Sequence, residues 1–411
     1  MPAQLHHINV YGTEIPVIFE QDGYLPIGSM QLIFENGGAL NDALPGVAKM
    51  SARLLGEGTR RDGASKFAQR LESRAISLSA HAGRETFVLE LGSLMESFDA
   101  GIGMTAELLS DPNLTLEAFE KVQKETEGKL TQKQSDFDYR ASTGLTRILF
   151  EGTPMADPVD GTLETVRKME VEDVLVHLNT FVSLYSLVVV IGGDMTLEQA
   201  EGYIRRAIAP LKQTSMQPIG HFEATSIPRI VRETAPTDQA YIYFGAPYDV
   251  AYDGEETALA KVAGFVLGSS GFGSRLMEEI RVKRGLAYSA YGRFALNRAA
   301  SYFTGHLQTK LESEEEAIEV VRSEVARFVR EGITAKELEG AKQFLLGSEP
   351  LRSETLQQRL GRAFNEYYAH RPLGYSAQEL ERIEAMDQET INRFIAAHPE
   401  IEQLSFSVVT Q

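Results

Sequence analysis

A chain of 411 residues is too long for one ordinary core and long enough for two domains of about 200 residues each. Its formal charge of −18 excludes nucleic acid as a partner, because a phosphate backbone would be repelled, and its lack of cysteine excludes disulfides, thiolate metal sites and a cysteine nucleophile together. The content, 43% hydrophobic and 24% charged, is that of a folded globular protein, and the most apolar window, Val182 to Ile191, is about half the length a membrane helix needs.

In chain order, Met1 to Leu5 shows no basic stretch leading into an apolar one, and the compartment stays open between cytoplasm and periplasm. His7 to Phe19 and Ser29 to Glu35 read as a meander of strands, and Ser186 to Ile191, rich in β-branched residues, as the buried strand that closes the first half. Gln213 to Thr225, with Pro218, Gly220 and few periodic apolar residues, is the natural linker. Beyond it, Ile230 to Arg232 and Ala240 to Gly245 open a second set of strands that Gln403 to Val409 closes. Between them Ala317, Val320, Val321, Val325 and Phe328 recur at helical spacing and predict a helix over Ser313 to Glu331.

The two halves repeat one another. Arg70-Leu71, Leu78 to Ala82 and Thr115 to Phe119 answer Arg275-Leu276, Leu286 to Ala290 and Thr334 to Leu338, at an offset that grows from about 205 to about 218 residues. An extra hairpin around Phe294 to Ser301 is expected to absorb the difference. The fold class is therefore α+β: a duplicated two-domain fold, each half a mainly antiparallel sheet with helices packed on one face. The expected boundaries are 1–212, a linker at 213–225, and 226–411.

The stretch Asn36-Gly37-Gly38-Ala39-Leu40-Asn41, followed by Gly46 to Leu55 and Gly56-Glu57-Gly58-Thr59, resembles the pitrilysin/insulinase family of inverted zinc peptidases, which includes the mitochondrial processing peptidases. In that family the glycine-led helix carries H-x-x-E-H, two histidines four apart that bind zinc and a glutamate that activates water. Here Lys49 stands at the first histidine, Ala52 at the glutamate and Arg53 at the second histidine, so the zinc motif is degenerate. Two cations on one helix face oppose a dication, and arginine cannot be deprotonated to become a ligand. The same two residues are also what a solvated helix face would carry, and both readings leave this chain without a metal. The resemblance puts the third ligand near Lys129, with Glu125 and Glu127 close by. None of the eight histidines is paired three or four apart with another, and no phosphate loop or serine elbow is present.

Gly273-Ser274-Arg275-Leu276 through Ile280-Arg281 to Gly285-Leu286-Ala287-Tyr288-Ser289 matches a second block of the same family. The resemblance implies that Arg281 and Tyr288 reach a substrate held at a zinc in another half, assisting catalysis in trans. A guanidinium binds a peptide carbonyl and a phenol donates to an oxyanion; spacing alone favours Arg281 complementing a helix dipole and Tyr288 packing in a core, and it is the surrounding block that points to function. The resemblance further assigns substrate binding to the flexible loop Gly268 to Gly273, with Gly268, Gly271 and Gly273, and to the edge strand carrying Ser79, Ala80 and His81.

The resemblance implies half of a clam-shell in a heterodimer. This chain would be the non-catalytic, substrate-binding subunit, with no cofactor of its own. A catalytic paralogue with an intact motif would hold the zinc, and peptides would be the substrates. Two rival readings are a stand-alone homodimeric peptide-binding or scaffold protein of the same fold, and an enzyme working through an unrecognised carboxylate pair.

Overall fold

The computed structural model describes residues 2–214 and 218–411; Ser215, Met216 and Gln217 of the expected linker lie outside the described residues. The chain forms two compact units, each assembled from three stretches: 1–131, 158–220 and 351–368 in the first, and 132–157, 221–350 and 369–411 in the second. The units therefore do not follow the contiguous halves 1–212 and 226–411, since each takes one helical segment from the other half of the chain.

The first unit holds β1 (Gln4–Val10), β2 (Thr13–Gln21), β3 (Ile27–Phe34), β4 (Ser77–Ala82), β5 (Phe87–Leu94) and β6 (Leu187–Gly193), in the order β1-β2-β6-β3-β5-β4. The second holds β7 (Ile230–Thr234), β8 (Gln239–Pro247), β9 (Ala287–Leu296), β10 (Ser301–Lys310) and β11 (Ser405–Thr410), in the order β7-β11-β8-β10-β9. Without β1, the first order is the second repeated, with β2 for β7, β6 for β11, β3 for β8, β5 for β10 and β4 for β9. The duplication is thus one of topology. Among the described residues each sheet has a single parallel pair, β2–β6 and β7–β11, and is otherwise antiparallel.

Three expectations need correction. The opening strands are not a meander, because β6 inserts between β2 and β3. There is no extra hairpin at Phe294 to Ser301; the β9–β10 hairpin has strands of ten residues each, against six and eight in β4 and β5. Helices do not cover one face only. In β8 the alternate residues Ala240, Ile242, Phe244 and Ala246 enter the main core, while Tyr241 and Tyr243 face the helix Phe137–Leu149 on the other side. In the first unit Leu356 and Leu360, on the helix Leu356–Tyr368, close over Gly192 of β6. Cover on both faces explains why every residue of β6 is buried and why its sequence is one apolar run instead of an alternation.

The helix Glu314–Glu331 forms where periodicity predicts it, with three glutamates in its first turn and Arg330 in its last, the charge order that complements the helix dipole. Among the described residues no helix is long and apolar enough to cross a membrane.

Candidate functional site

Residues of interest lie in each unit. In the first, the helix Val47–Leu55 is anchored at its start by Asp42, whose carboxylate oxygens accept from the backbone N–H of Gly46 and Ala48, both at 2.9 Å. Carboxylate acceptors at a helix N-terminus satisfy donors that have no partner within the helix. The segment ahead of it is held by His177, whose Nε2 donates to the Gly37 carbonyl at 3.1 Å. Burial pushes this imidazole down to a pKa of about 4, so it is neutral, and Asp42 Oδ1, 3.8 Å from Nδ1, is too distant for a hydrogen bond.

Seven of the nine residues in the helix are buried, Ala52 among them, leaving Lys49 and Arg53 half-buried on one side. They are not a freely solvated face. Arg53 donates through Nη1 to Thr126 Oγ1 and through Nη2 to Asp160 Oδ1, both at 2.9 Å. Lys49 Nζ donates to the carbonyl of Ala82, the last residue of β4, at 3.3 Å. On the helix Leu116–Gln134 the side chain that meets Arg53 is the buried Thr126. Lys129 and Glu125 are exposed, and Glu127 accepts from Arg167 at 2.9 Å. Two histidine positions filled by cations, a glutamate position filled by alanine and a threonine facing them do not fit a zinc ion. Among the described residues no three His, Asp or Glu side chains cluster as metal ligands.

Beside this helix, β4 is the sheet's edge and pairs only with β5. Ser79 and His81 share one face of it, Ser79 Oγ lying 3.0 Å from His81 Nε2, with Ala80 between them on the other face. The unpaired edge is open to an added strand.

In the second unit, Ser274 caps a short helix: its Oγ accepts from the Met277 N–H at 3.4 Å and donates to the Gly271 carbonyl at 2.8 Å. The helix winds to Val282 and stops at Gly285, which takes φ +65°; Leu286 N–H donates back to the Ile280 carbonyl at 2.9 Å and Gly285 N–H to the Arg281 carbonyl at 3.0 Å, a left-handed glycine cap one residue wider than a Schellman closure. That closure brings Arg281 under Tyr288, the second residue of the edge strand β9. The Arg281 guanidinium carbon lies 4.4 Å from the centre of the Tyr288 ring and 4.6 Å from that of Phe272. The cation is thus sandwiched between two largely exposed aromatic rings. Tyr288 is not a core residue.

The glycine-rich stretch divides. Gly271 and Gly273 lie in the turn, but Gly268 does not belong to a flexible loop. It lies buried in a widened helical turn, Phe265–Ser269, packed against the backbone of Gly292. The motif reading missed Phe272, Thr126 and Asp160. Phe272 had a signal: it is the one apolar residue between Gly268 and Arg275, with nothing local to pack on.

The model of the peptidase M16 inactive domain matches residues 168–345. Across 409 residues the chain is 40% identical to a non-peptidase homologue, YmxG, of Helicobacter pylori, covering 99% of this chain and 94% of that one. The chain belongs to the peptidase M16 family. More distant relatives include an uncharacterised zinc protease of Streptomyces coelicolor, 22% identical over 78% of this chain and 72% of its own. Two solved structures share the fold. One is a peptidase M16 inactive domain from Pseudomonas fluorescens, with a TM-score of 0.91 and 22% identity over 99% of this chain and 98% of that one. The other is a chain of Complex III from Candida albicans, with a TM-score of 0.79 and 14% identity over 99% and 96%. The matched M16 span contains Phe272, Arg281 and Tyr288 and excludes the helix Val47–Leu55.

Proposed function

We propose that this chain does not hydrolyse peptides on its own, and that it binds them as the zinc-less subunit of a two-chain M16 metallopeptidase. The observation that carries the reading is Arg53, a half-buried cation fixed by Asp160 and Thr126 where the family's second zinc-binding histidine belongs. The non-peptidase name of the Helicobacter relative and the inactive-domain description of the matched model support it. In this reading a catalytic paralogue supplies the zinc and the general base, and Arg281 and Tyr288 meet the substrate from this side. Arg281 binds a substrate carbonyl, and the Tyr288 phenol donates to the oxyanion of the tetrahedral intermediate.

The test is to purify the chain with paralogues that carry H-x-x-E-H, then to measure zinc and peptide hydrolysis for each protein alone and mixed. Hydrolysis by the mixture, with zinc in the paralogue only, is expected. Arg281→Ala or Tyr288→Phe should lower its turnover about tenfold to a hundredfold with assembly intact. Chelator-sensitive hydrolysis by this chain alone would overturn the proposal. Stable self-association with no paralogue captured would favour a homodimeric scaffold instead, a reading that the likeness to a Complex III chain keeps in view.

A further inference from the structure

Next to the Arg281 sandwich the second unit has an aromatic cleft of about 480 Å³. Phe265 and Val266 of the widened turn line it together with Gly340 and Phe344 of the helix Ala335–Gly347, and the Phe265 and Phe344 rings pack on each other with their centres 4.9 Å apart. Phe272 belongs to both features, contacting Arg281 on one side and lining the cleft on the other. Three aromatic side chains therefore stand largely in water around one corner: Phe272 is 70% exposed, Tyr288 82% and Phe344 52%. Large apolar groups gathered at a surface are characteristic of a binding face.

The charges there are also distinctive. Neighbouring guanidiniums are all matched: Arg275 to Glu337 at 2.7 Å, Arg284 to Glu279 at 2.5 Å and Arg327 to Glu324 at 2.6 Å. Among the described residues Arg281 has rings above and below but no carboxylate or carbonyl accepting from its five N–H donors. Lys336, at the rim of the cleft, also has no acidic partner among the described residues.

Resting on the peptide-binding reading above, we propose that this corner is its selectivity site. The cleft takes an aromatic or large aliphatic side chain of the peptide, and Arg281, whose five N–H donors exceed what one substrate carbonyl accepts, joins Lys336 in holding a carboxylate beside it. That carboxylate is either the peptide's own C-terminus or an adjacent Asp or Glu side chain. Both present the same acceptor to a guanidinium.

The experiment measures binding of labelled hexapeptides to the full chain, alone and in the mixed complex. The peptides are alanine-based: one ending in Phe with a free carboxylate, the same peptide amidated, an amidated one with an internal Phe-Glu pair, and each with Ala for Phe. Phe is expected to bind about tenfold or more tightly than Ala. Comparison of free-acid, amidated and Phe-Glu peptides identifies the source of the carboxylate. Gly340→Leu fills the cleft, and a Cβ there meets nothing within 4 Å, so the helix tolerates it. It should bring the Phe-to-Ala ratio near one, as should Phe344→Ala, with thermal melts confirming that both variants fold. Arg281→Gln should erase the advantage of the carboxylate. Peptide binding without a Phe preference, or a preference that survives both cleft variants, overturns this proposal and leaves the peptide-binding reading standing. Absence of any peptide binding overturns both.

Discussion

At the scale of single residues, the helix Val47–Leu55 shows how far a local motif can be read. Lys49, Ala52 and Arg53 were legible because the surrounding glycine frame fixes their positions within one helix. Thr126 and Asp160, 73 and 107 residues beyond Arg53, were not, since no spacing tells which turn of a distant helix or loop will face it. The contact with Thr126 leads to a prediction. Lys49→His, Ala52→Glu and Arg53→His together leave the site one ligand short, and stoichiometric zinc after dialysis is expected only when Thr126→Glu is added. Zinc analysis of both variants checks this. His177 gives a second prediction. Its folded pKa of about 4 lies below the unfolded value of about 6.5, so the unfolded chain binds the extra proton between these limits. Stability is then full above pH about 6.5 and falls by about 3 kcal/mol as the pH drops toward 4. Glu337 acts in a lower window. Burial raises its pKa, but the Arg275 pair and Thr334 outweigh this and hold it at about 2, so its contribution is lost as pH falls from about 4.5. His177→Gln should flatten the upper window and spare the lower one, as measured by urea midpoints from pH 7 to pH 3.

At the scale of elements, strands and helices whose signal is periodic were legible in place: β8 by its alternating Ala240, Ile242, Phe244 and Ala246, and Glu314–Glu331 by its apolar stripe. What failed was neighbourhood. The insertion of β6 between β2 and β3 depends on a parallel pairing between distant segments, which leaves no local mark. The glycine-rich stretch failed for a related reason, because composition alone made Gly268 and Gly271 look alike. A Cβ at Gly268 would lie 2.6 Å from the backbone nitrogen of Gly292, whereas one at Gly271 meets nothing within 4 Å and suffers only from its φ of +68°. Gly268→Ala is therefore expected to cost about 1–3 kcal/mol by forcing helix and strand apart, and Gly271→Ala about 1 kcal/mol. Chemical denaturation of the two variants side by side tests the order.

At the scale of the whole molecule, the duplication was legible because motifs recur in order, but the exchange of helices between halves was not. The helix Leu356–Tyr368 belongs to the first unit through Leu356 and Leu360 over Gly192, and through Arg359, which donates to Glu20 Oε1 at 2.6 Å and to Asp22 Oδ2 at 2.5 Å. The helix Phe137–Leu149 is tied to the second unit by Tyr243, whose hydroxyl donates to Asp138 Oδ2 at 2.9 Å. Residues 1–212 expressed alone should therefore be poorly folded, while co-expression with 213–411 should yield a soluble pair that purifies together; circular dichroism and pull-down measure both. The exchange also orders events at the ribosome. Residue 20 waits for residue 359, so the apolar back of the first sheet stays uncovered through most of translation. A nascent chain stalled before that point is a natural client for a chaperone.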